Sequence, residues 1–393
     1  MKVLLIAMCD SVHTARWINQ LNGSEFKIVL FPSTPHRRLH SAIAQIIRKP
    51  GSDLLRMRRL DRYSAFIFGL IDLLFAQRLQ GWRLRRFLER EHFDLVHLLE
   101  TQHAGYLFLR AMRKRPHSSP VALSVWGSDF AWFVRKPRHQ LRIKQTLELI
   151  SFLFVECQRD ELLARGLGYL RQCSQPISAS GGVGRVESLR ELSSLERPSL
   201  RTAIIVKGYT GFVGEASTSI RAVVQNAKHL QGFKIHVYSC SIWMVIKLRL
   251  TRKWTGLEIH PYRKKSLTHE EVLTLFRESR VSLSLSLCDG FPGSFREAVW
   301  TGAFPIESIG SCVNEWASSE NQVRLVDPHD FESVVNSLGE SLTDPKMVDY
   351  AWQLNAELAV RLSTELTVSR VLVEYRRALN SGSALKPQDG LSL

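Results

Sequence analysis

The sequence predicts an α/β protein built from two doubly wound parallel sheets. Three observations predict it. Short continuous apolar runs recur, among them KVLLIAM (2–8), FKIVLFP (26–32), FDLVHLL (93–99) and VALSVWG (121–127). Runs of this length without polar alternation are those of strands buried on both faces. Polar loops that open helical stretches separate them, the pattern of a parallel sheet covered by helices. The alternation then breaks at a segment rich in Ser, Gly and Pro and restarts beyond it.

The elements follow in order. CDSVHTARWINQL reads as a loop opening a helix after the first strand, and a helix near 104–113 follows the third. QPISASGGVGRVESLRELSSLERPSL carries the boundary. Beyond it come AIIVKGY, a helix around 217–230, FKIHVYS, a helical stretch after Thr268, VSLSLSL, and a helix after Ser294. The expected organisation is a first domain over 1–175, a linker over 176–200 and a second domain over 201–365. A helix over 366–380 then crosses back to the first domain, and a disordered tail covers 381–393. A length of 393 residues suits two domains at about 100–200 residues each.

Composition narrows the partners. Lys and Arg number 53 against 37 acids, a net charge of +16. That balance favours a negatively charged partner: a phosphorylated substrate, an anionic membrane face or a nucleic acid. RNA- or zinc-finger-type recognition modules are absent from the sequence, so nucleic acid is excluded as the expected partner. The six cysteines are scattered without a C-x-x-C pair. They are read as reduced, in a cytoplasmic protein without a zinc site. MKVLLIAM leads into a polar loop without a small-residue cleavage site, so it reads as a strand rather than a signal peptide. The longest apolar stretch, AFIFGLIDLLFA (65–76), is too short to span a bilayer and carries Asp72.

The chemistry concentrates in DGFPGSFREAVWTGAFPIES, which follows VSLSLSL. Asp289 and Glu297 flank a Gly-Phe-Pro-Gly turn at the end of a strand. S-F-R-E matches a capping box, in which Glu297 satisfies the N–H of Ser294. The alternative is a ligand site. A helix start beyond a strand's carboxyl end suits a phosphate, and two ionised acids suit the hydroxyls of a sugar. Phosphate and polyol together describe a nucleotide-sugar.

The D-x7-E spacing here, with GSCVNEW and NQVRLVDPHD after it, resembles the acid-x7-acid donor region of retaining GT-B glycosyltransferases of the family 4-like group. SVHTARWINQL, DLVHLL, SVWGSD, SGGV and IVKGY extend the resemblance over nearly the whole chain to about Arg377, with the C-terminal half the more specific. The resemblance implies two Rossmann-like domains facing each other across a cleft. Glu297 is then expected on the ribose hydroxyls of the donor and Asp289 on the transferred sugar. The backbone of Phe291, Pro292, Gly293 and Ser294 lines sugar and phosphates, Gly182 joins the donor site, and Lys207 meets the pyrophosphate. The family's second cation falls at Phe212, so Arg185 or Arg263 is a candidate substitute. Asp289 stands where the family usually has Glu, and Trp126 where it often has His.

On the acceptor side, Asp129 in WGSD either orients the acceptor and stabilises charge on the sugar ring, or caps the following FAWFVRK helix. His103 and His13 stand on loops after strands and suit acid–base work, or are polar surface. Arg16 either pairs with phosphate or is an exposed cation. Asp129, His103 and Asp289 form the expected catalytic set. No D-x-D motif follows a strand, so no metal and no cofactor is expected beyond the donor itself.

Residues 48–90 carry eleven Lys/Arg against four acids around YSAFIFGLIDLLF, with Phe66, Leu70 and Leu74 at helical spacing. This is either a basic interfacial segment on an anionic membrane or a core stripe with a solvated basic face. With a membrane, the acceptor is a glycan or a polyprenyl-linked sugar of cell-surface polysaccharide synthesis. Two other functions share the pattern: a nucleotide-sugar epimerase, and an inactive glycosyltransferase-like partner protein.

Overall fold

A computed structural model describes residues 1–34, 39–48, 54–56, 72, 78–112, 117–179, 181–185, 196–211 and 213–382. Most of the basic 48–90 stretch, including Phe66, Leu70 and Leu74, lies outside the described residues. So do Ser180, residues 186–195 of the expected linker, Phe212, and the tail from 383.

The chain divides into two units, Met1–Gly181 with Val368–Leu393, and Gly182–Thr367. The second unit begins at 182, inside the expected linker. The reason is local pairing. Val183 N–H donates to the Leu362 carbonyl, and Thr364 N–H donates to that of Gly184. A Cβ on Gly182 would stand 2.4 Å from Thr364 Cα. This strip is therefore built into the second unit rather than left free.

The first unit holds one parallel sheet. Its strands are β1 (Lys2–Ala7), β2 (Lys27–Pro32), β3 (Leu54–Arg56), β4 (Leu95–Leu99), β5 (Val121–Ser124), β6 (Phe152–Phe154) and β7 (Gln172–Cys173), in the order β3-β2-β1-β4-β5-β6-β7. Alternate residues of each apolar run face opposite cores. Leu4, Ile6, Val96 and Leu98 join one cluster, while Val3, Leu5, Ala7, Leu95 and Leu99 join the other. Both faces are covered, as continuous apolar runs require.

The helix Thr364–Asn380 sets Tyr375 into the second of these cores. There Trp17 Nε1–H donates to the Tyr375 hydroxyl at 2.7 Å, and that oxygen lies 2.6 Å from His97 Nδ1. His97 Nε2 lies 2.8 Å from Ser124 Oγ. The phenol accepts from Trp17, so its own proton goes to Nδ1 and Nε2–H donates to the serine. Burial pushes His97 down to about 3, so the ring stays neutral. We predict that Tyr375→Phe costs about 2 kcal/mol, because it leaves two buried polar groups without their partner. Urea unfolding checks this, and an unchanged midpoint counts against it.

The second unit repeats the plan. Its main strands are β8 (Ala203–Lys207), β11 (Lys234–Cys240), β12 (Glu258–Arg263), β13 (Val281–Ser284), β14 (Phe304–Ser308) and β15 (Arg324–Val326), in the order β12-β11-β8-β13-β14-β15. A two-stranded ribbon, β9 (Thr210–Gly211) with β10 (Gly214–Glu215), follows β8. All ladders of the two large sheets are parallel. The two sheets follow the doubly wound order, which reverses between β1 and β4 and between β8 and β13. Ligands of such sheets bind beyond the strand ends at that reversal.

Three local expectations are corrected. The helix expected near 104–113 is preceded by a π-helical turn, Thr101–Gly105, and runs as an α-helix over Tyr106–Met112. FAWFVRK is not one helix. A short turn, Gly127–Ala131, is followed by a 3-10 turn, Phe133–Arg135, because Pro137 starts a new helix over Pro137–Leu149. The helix after VSLSLSL starts at Gly293 with Pro292 as its N-cap, two residues before the expected capping serine.

Candidate functional site

The clearest constellation lies at the reversal of the second sheet. Lys207 closes β8, and its Nζ donates to Asp289 Oδ2 at 2.9 Å. Its side chain is 10% exposed and that of Asp289 30%, so the pair is open to a ligand on the acid's side. Burial works against the ammonium, but the pairing with Asp289 outweighs it and holds the Lys207 pKa above its ordinary value. Lys207 is therefore a fixed cation beside the turn of residues 289–293.

The turn leads into the helix Gly293–Thr301. Its N-cap, Pro292, offers no side-chain cap. The first N–H groups of a helix have no partner within it, and they carry its positive end. Phe291 braces the turn from behind, stacked on Trp316 at 4.2 Å and 17°.

The capping-box reading fails on Ser294. Its hydroxyl accepts from Ser284 Oγ at 2.6 Å and donates to Glu307 Oε1 at 3.1 Å, across the sheet rather than back along the helix. Glu297 has a partner on another helix. Its Oε1 lies 2.9 Å from His269 Nε2 and 4.0 Å from the place a Cβ on Gly293 would take. The acid thus turns back over the helix start, where a ligand seated on the N–H groups would meet it.

Glu307 and His269 escaped the sequence reading. Glu307 sits on β14, fully buried, with Oε2 lacking a hydrogen-bond partner. Burial pushes its carboxyl up to about 8; Lys207 pulls the other way, and Asp289 adds to the rise. At neutral pH it is largely protonated. The unfolded chain binds no proton there above the ordinary carboxylate range, so the fold loses stability as pH climbs from about 4.5 toward 8, by about 1.4 kcal/mol per unit. We predict that Glu307→Gln removes this loss. The variant should match the parent near pH 5 and exceed it near pH 8 in thermal melts; parallel pH curves would contradict this.

Tyr238, at the end of β11, completes the group. Burial first, then Glu297, Glu307, Tyr209 and Asp289, raise its pKa well above the usual phenol range. Lys207 Nζ also stands 5.3 Å from the Tyr209 ring centroid. Gly182 is accounted for by its packing on Thr364, and Arg185 beside it is exposed.

The first sheet gathers a second group at its own reversal. After β4, Glu100 adopts φ 72°, ψ 157°, a conformation rare for a side chain other than glycine's. Its carboxylate accepts from the N–H groups of Gln102, His103 and Ala104 at 2.7–2.9 Å and ties down the π-helical turn. His103 Nδ1 lies 3.2 Å from Glu100 Oε2, and the histidine is about half exposed. The hydrogen bond to Glu100 raises the His103 pKa against the effect of burial, and Asp10 adds to the rise.

Asp129 is 3% exposed. Its Oδ2 accepts from Thr101 N–H, Thr101 Oγ1 and Trp126 N–H at 3.1–3.3 Å. Burial, then Glu100, raise its pKa well above the carboxylate range. The expected N-cap is corrected: Trp126 holds that position and Asp129 stands three residues on, binding the two loops together. The His13 ring packs on Trp126 with centroids 5.0 Å apart, and Arg16 lies half-buried one turn further along the helix Val12–Leu21. Trp126 thus has a histidine against it. Glu100 was missed because helix-start acids are sought as Asp, not as Glu at positive φ.

Comparisons with known proteins bear on the fold. The family described as "Glycosyl transferase 4-like" matches residues 2–156. No curated protein matches the chain in sequence. Among solved structures, sucrose-phosphate synthase of Thermosynechococcus elongatus superposes with TM-score 0.66 at 12% identity, over 97% of this chain and 100% of that one. The α,α-trehalose 6-phosphate synthase of Burkholderia multivorans gives 0.64 at 14%, over 100% and 99%. Anabaena HepE, solved with UDP, gives 0.65 at 11%, over 96% and 100%. The fold of the chain is GT-B, as the sequence resemblance implied. The family match falls on the half in which the sequence carries the weaker signal.

Proposed function

We propose that the chain is a retaining glycosyltransferase that uses a nucleoside-diphosphate sugar. The observation that carries this reading is the Lys207–Asp289 pair, set beside an uncapped helix start at the reversal of a doubly wound sheet. The match of residues 2–156 to glycosyl transferases supports it, as does the presence of UDP in the Anabaena structure.

Each residue then has a task. The diphosphate sits on the N–H groups of Gly293, Ser294 and Phe295, with Lys207 balancing its charge. Glu297, steadied by His269, accepts from the ribose hydroxyls. Asp289 holds Lys207 with one oxygen and takes a hydroxyl of the transferred sugar on its open side. As the glycosidic bond breaks, negative charge grows on the leaving diphosphate. A fixed ammonium and oriented N–H dipoles stabilise that charge without reorganising. The leaving phosphate oxygen takes the proton of the acceptor hydroxyl as that hydroxyl attacks from the same face. The acceptor is assigned to the first unit, near His13, Arg16 and His103. Asp129 and Glu100 position the loops there. No divalent cation is needed in this scheme.

The acceptor is read as a glycan or polyprenyl-linked sugar at an anionic cytoplasmic membrane face, supported by the net charge of +16. Proton NMR of donor turnover tests the reaction. A released or transferred sugar with the donor's anomeric configuration supports it. An inverted anomer, or no diphosphate released from any donor, overturns it.

A further inference from the structure

The helix Ile242–Thr255, which follows β11, is apolar on two opposite sides. Met244, Val245 and Leu248 on the inner side are buried in the core of the second unit. Trp243 and Trp254 on the outer side are 80% and 82% exposed, and Ile242, Ile246 and Leu250 are exposed with them. At about 100° per residue, these five fall within one arc of roughly 120°, opposite the buried side. A surface helix ordinarily carries polar residues there. A contiguous exposed apolar face marks an interaction site.

The charges have one sign. Lys247, Arg249, Arg252 and Lys253 are all exposed, and the helix contains no Asp or Glu. Lys247 and Arg249 border the arc on either side, and Lys253 lies within it. The helix is also fixed at both ends. Ser241 Oγ accepts from Met244 N–H, and Gly256 ends it in the left-handed conformation, with its N–H on the Arg252 carbonyl. The face is therefore presented ready-made.

We propose that Ile242–Thr255 is a membrane-docking helix that seats the second unit on an anionic lipid surface. Tryptophan is favoured at the boundary between headgroups and acyl chains. An apolar face with cationic flanks lies in the plane of that boundary, and the cations meet anionic headgroups. No helix among the described residues is long and apolar enough to cross a membrane, so this one lies on it. Charge selects the occupant. A second copy docked through the same patch about a two-fold axis would bring like cations together. A nucleic acid would meet the cations but leave Ile242, Ile246 and Leu250 in water. The proposal goes beyond the donor-site reading and does not rest on it, since vesicle binding is measured without donor.

Flotation of the full chain with vesicles of phosphatidylcholine, with and without phosphatidylglycerol, tests it. The protein should float with the anionic vesicles only. Trp243→Ser with Trp254→Ser should weaken that binding by at least about tenfold, the loss expected when two large aromatic side chains no longer enter the interface. Replacing Lys247, Arg249 and Lys253 by Gln should weaken it as well, with a shallower salt dependence. Both variants should melt as the parent does, because the changed side chains are exposed. Anionic-vesicle binding unchanged in both variants, or absent in the parent, overturns the proposal. So does a fall from dimer to monomer in the tryptophan variant, which would give the face to a second copy.

Discussion

Replacing Lys207 by Met should abolish useful donor turnover, lowering kcat/KM by about 10²–10³, the range seen when one preorganised group facing developing charge is removed. The side chain is nearly buried, and its ammonium is held by Asp289 at 2.9 Å. Nothing replaces it at the register where the family has a second cation, since that position is Phe212. The change also removes the cation that donates to Asp289, so stability should fall too, by about 2 kcal/mol for a lost hydrogen bond between charged groups. A second variant separates the effects. Lys207→Met with Asp289→Asn removes the carboxylate that the ammonium balanced, so it should recover most of the stability and none of the turnover. If activity returns with stability, Lys207 only supports the fold.

Glu297→Ala should weaken nucleoside-diphosphate binding by about 2 kcal/mol, or about 30-fold, the worth of hydrogen bonds to a charged acceptor. In the free protein it meets His269, whose side chain is 44% exposed. Glu297 itself is 11% exposed, but His269 stays solvated when the acid is removed, so the loss of stability should be small beside the loss of affinity. The melting temperature should therefore stay close to that of the parent while the dissociation constant rises. A melt that drops with affinity unchanged would return Glu297 to a structural role.

The strands were legible because buried parallel strands are written as unbroken apolar runs. KVLLIA, LVHLL and AIIVK all lie where those runs place them. Asp289 was legible as a candidate because it stands in the turn that closes such a run. Lys207 was a candidate only through the family resemblance. The partners that define the site were not legible. Glu307 reaches Ser294 because β14 lies beside β13, and His269 reaches Glu297 from another helix; sheet order and helix packing decide such contacts, not spacing. S-F-R-E misled for a related reason. The pattern is local, but Ser294 finds Ser284 and Glu307 across the sheet, and the helix begins two residues earlier than that pattern sets it. Asp129 misled likewise, because its donors come from Thr101 and Trp126 on two different loops.

Calorimetric titration of the full chain and of Lys207→Met with UDP, GDP and ADP tests the central claim most directly. The reversal of the second sheet should bind at least one of these diphosphates in the parent protein, and the variant should show no heat at the same concentrations. At 100 times the dissociation constant the bound parent should gain about 2.7 kcal/mol of stability. A parent that binds none of the three, or a variant that binds as tightly as the parent, would contradict the assignment of Lys207 and the adjoining helix start as the diphosphate site.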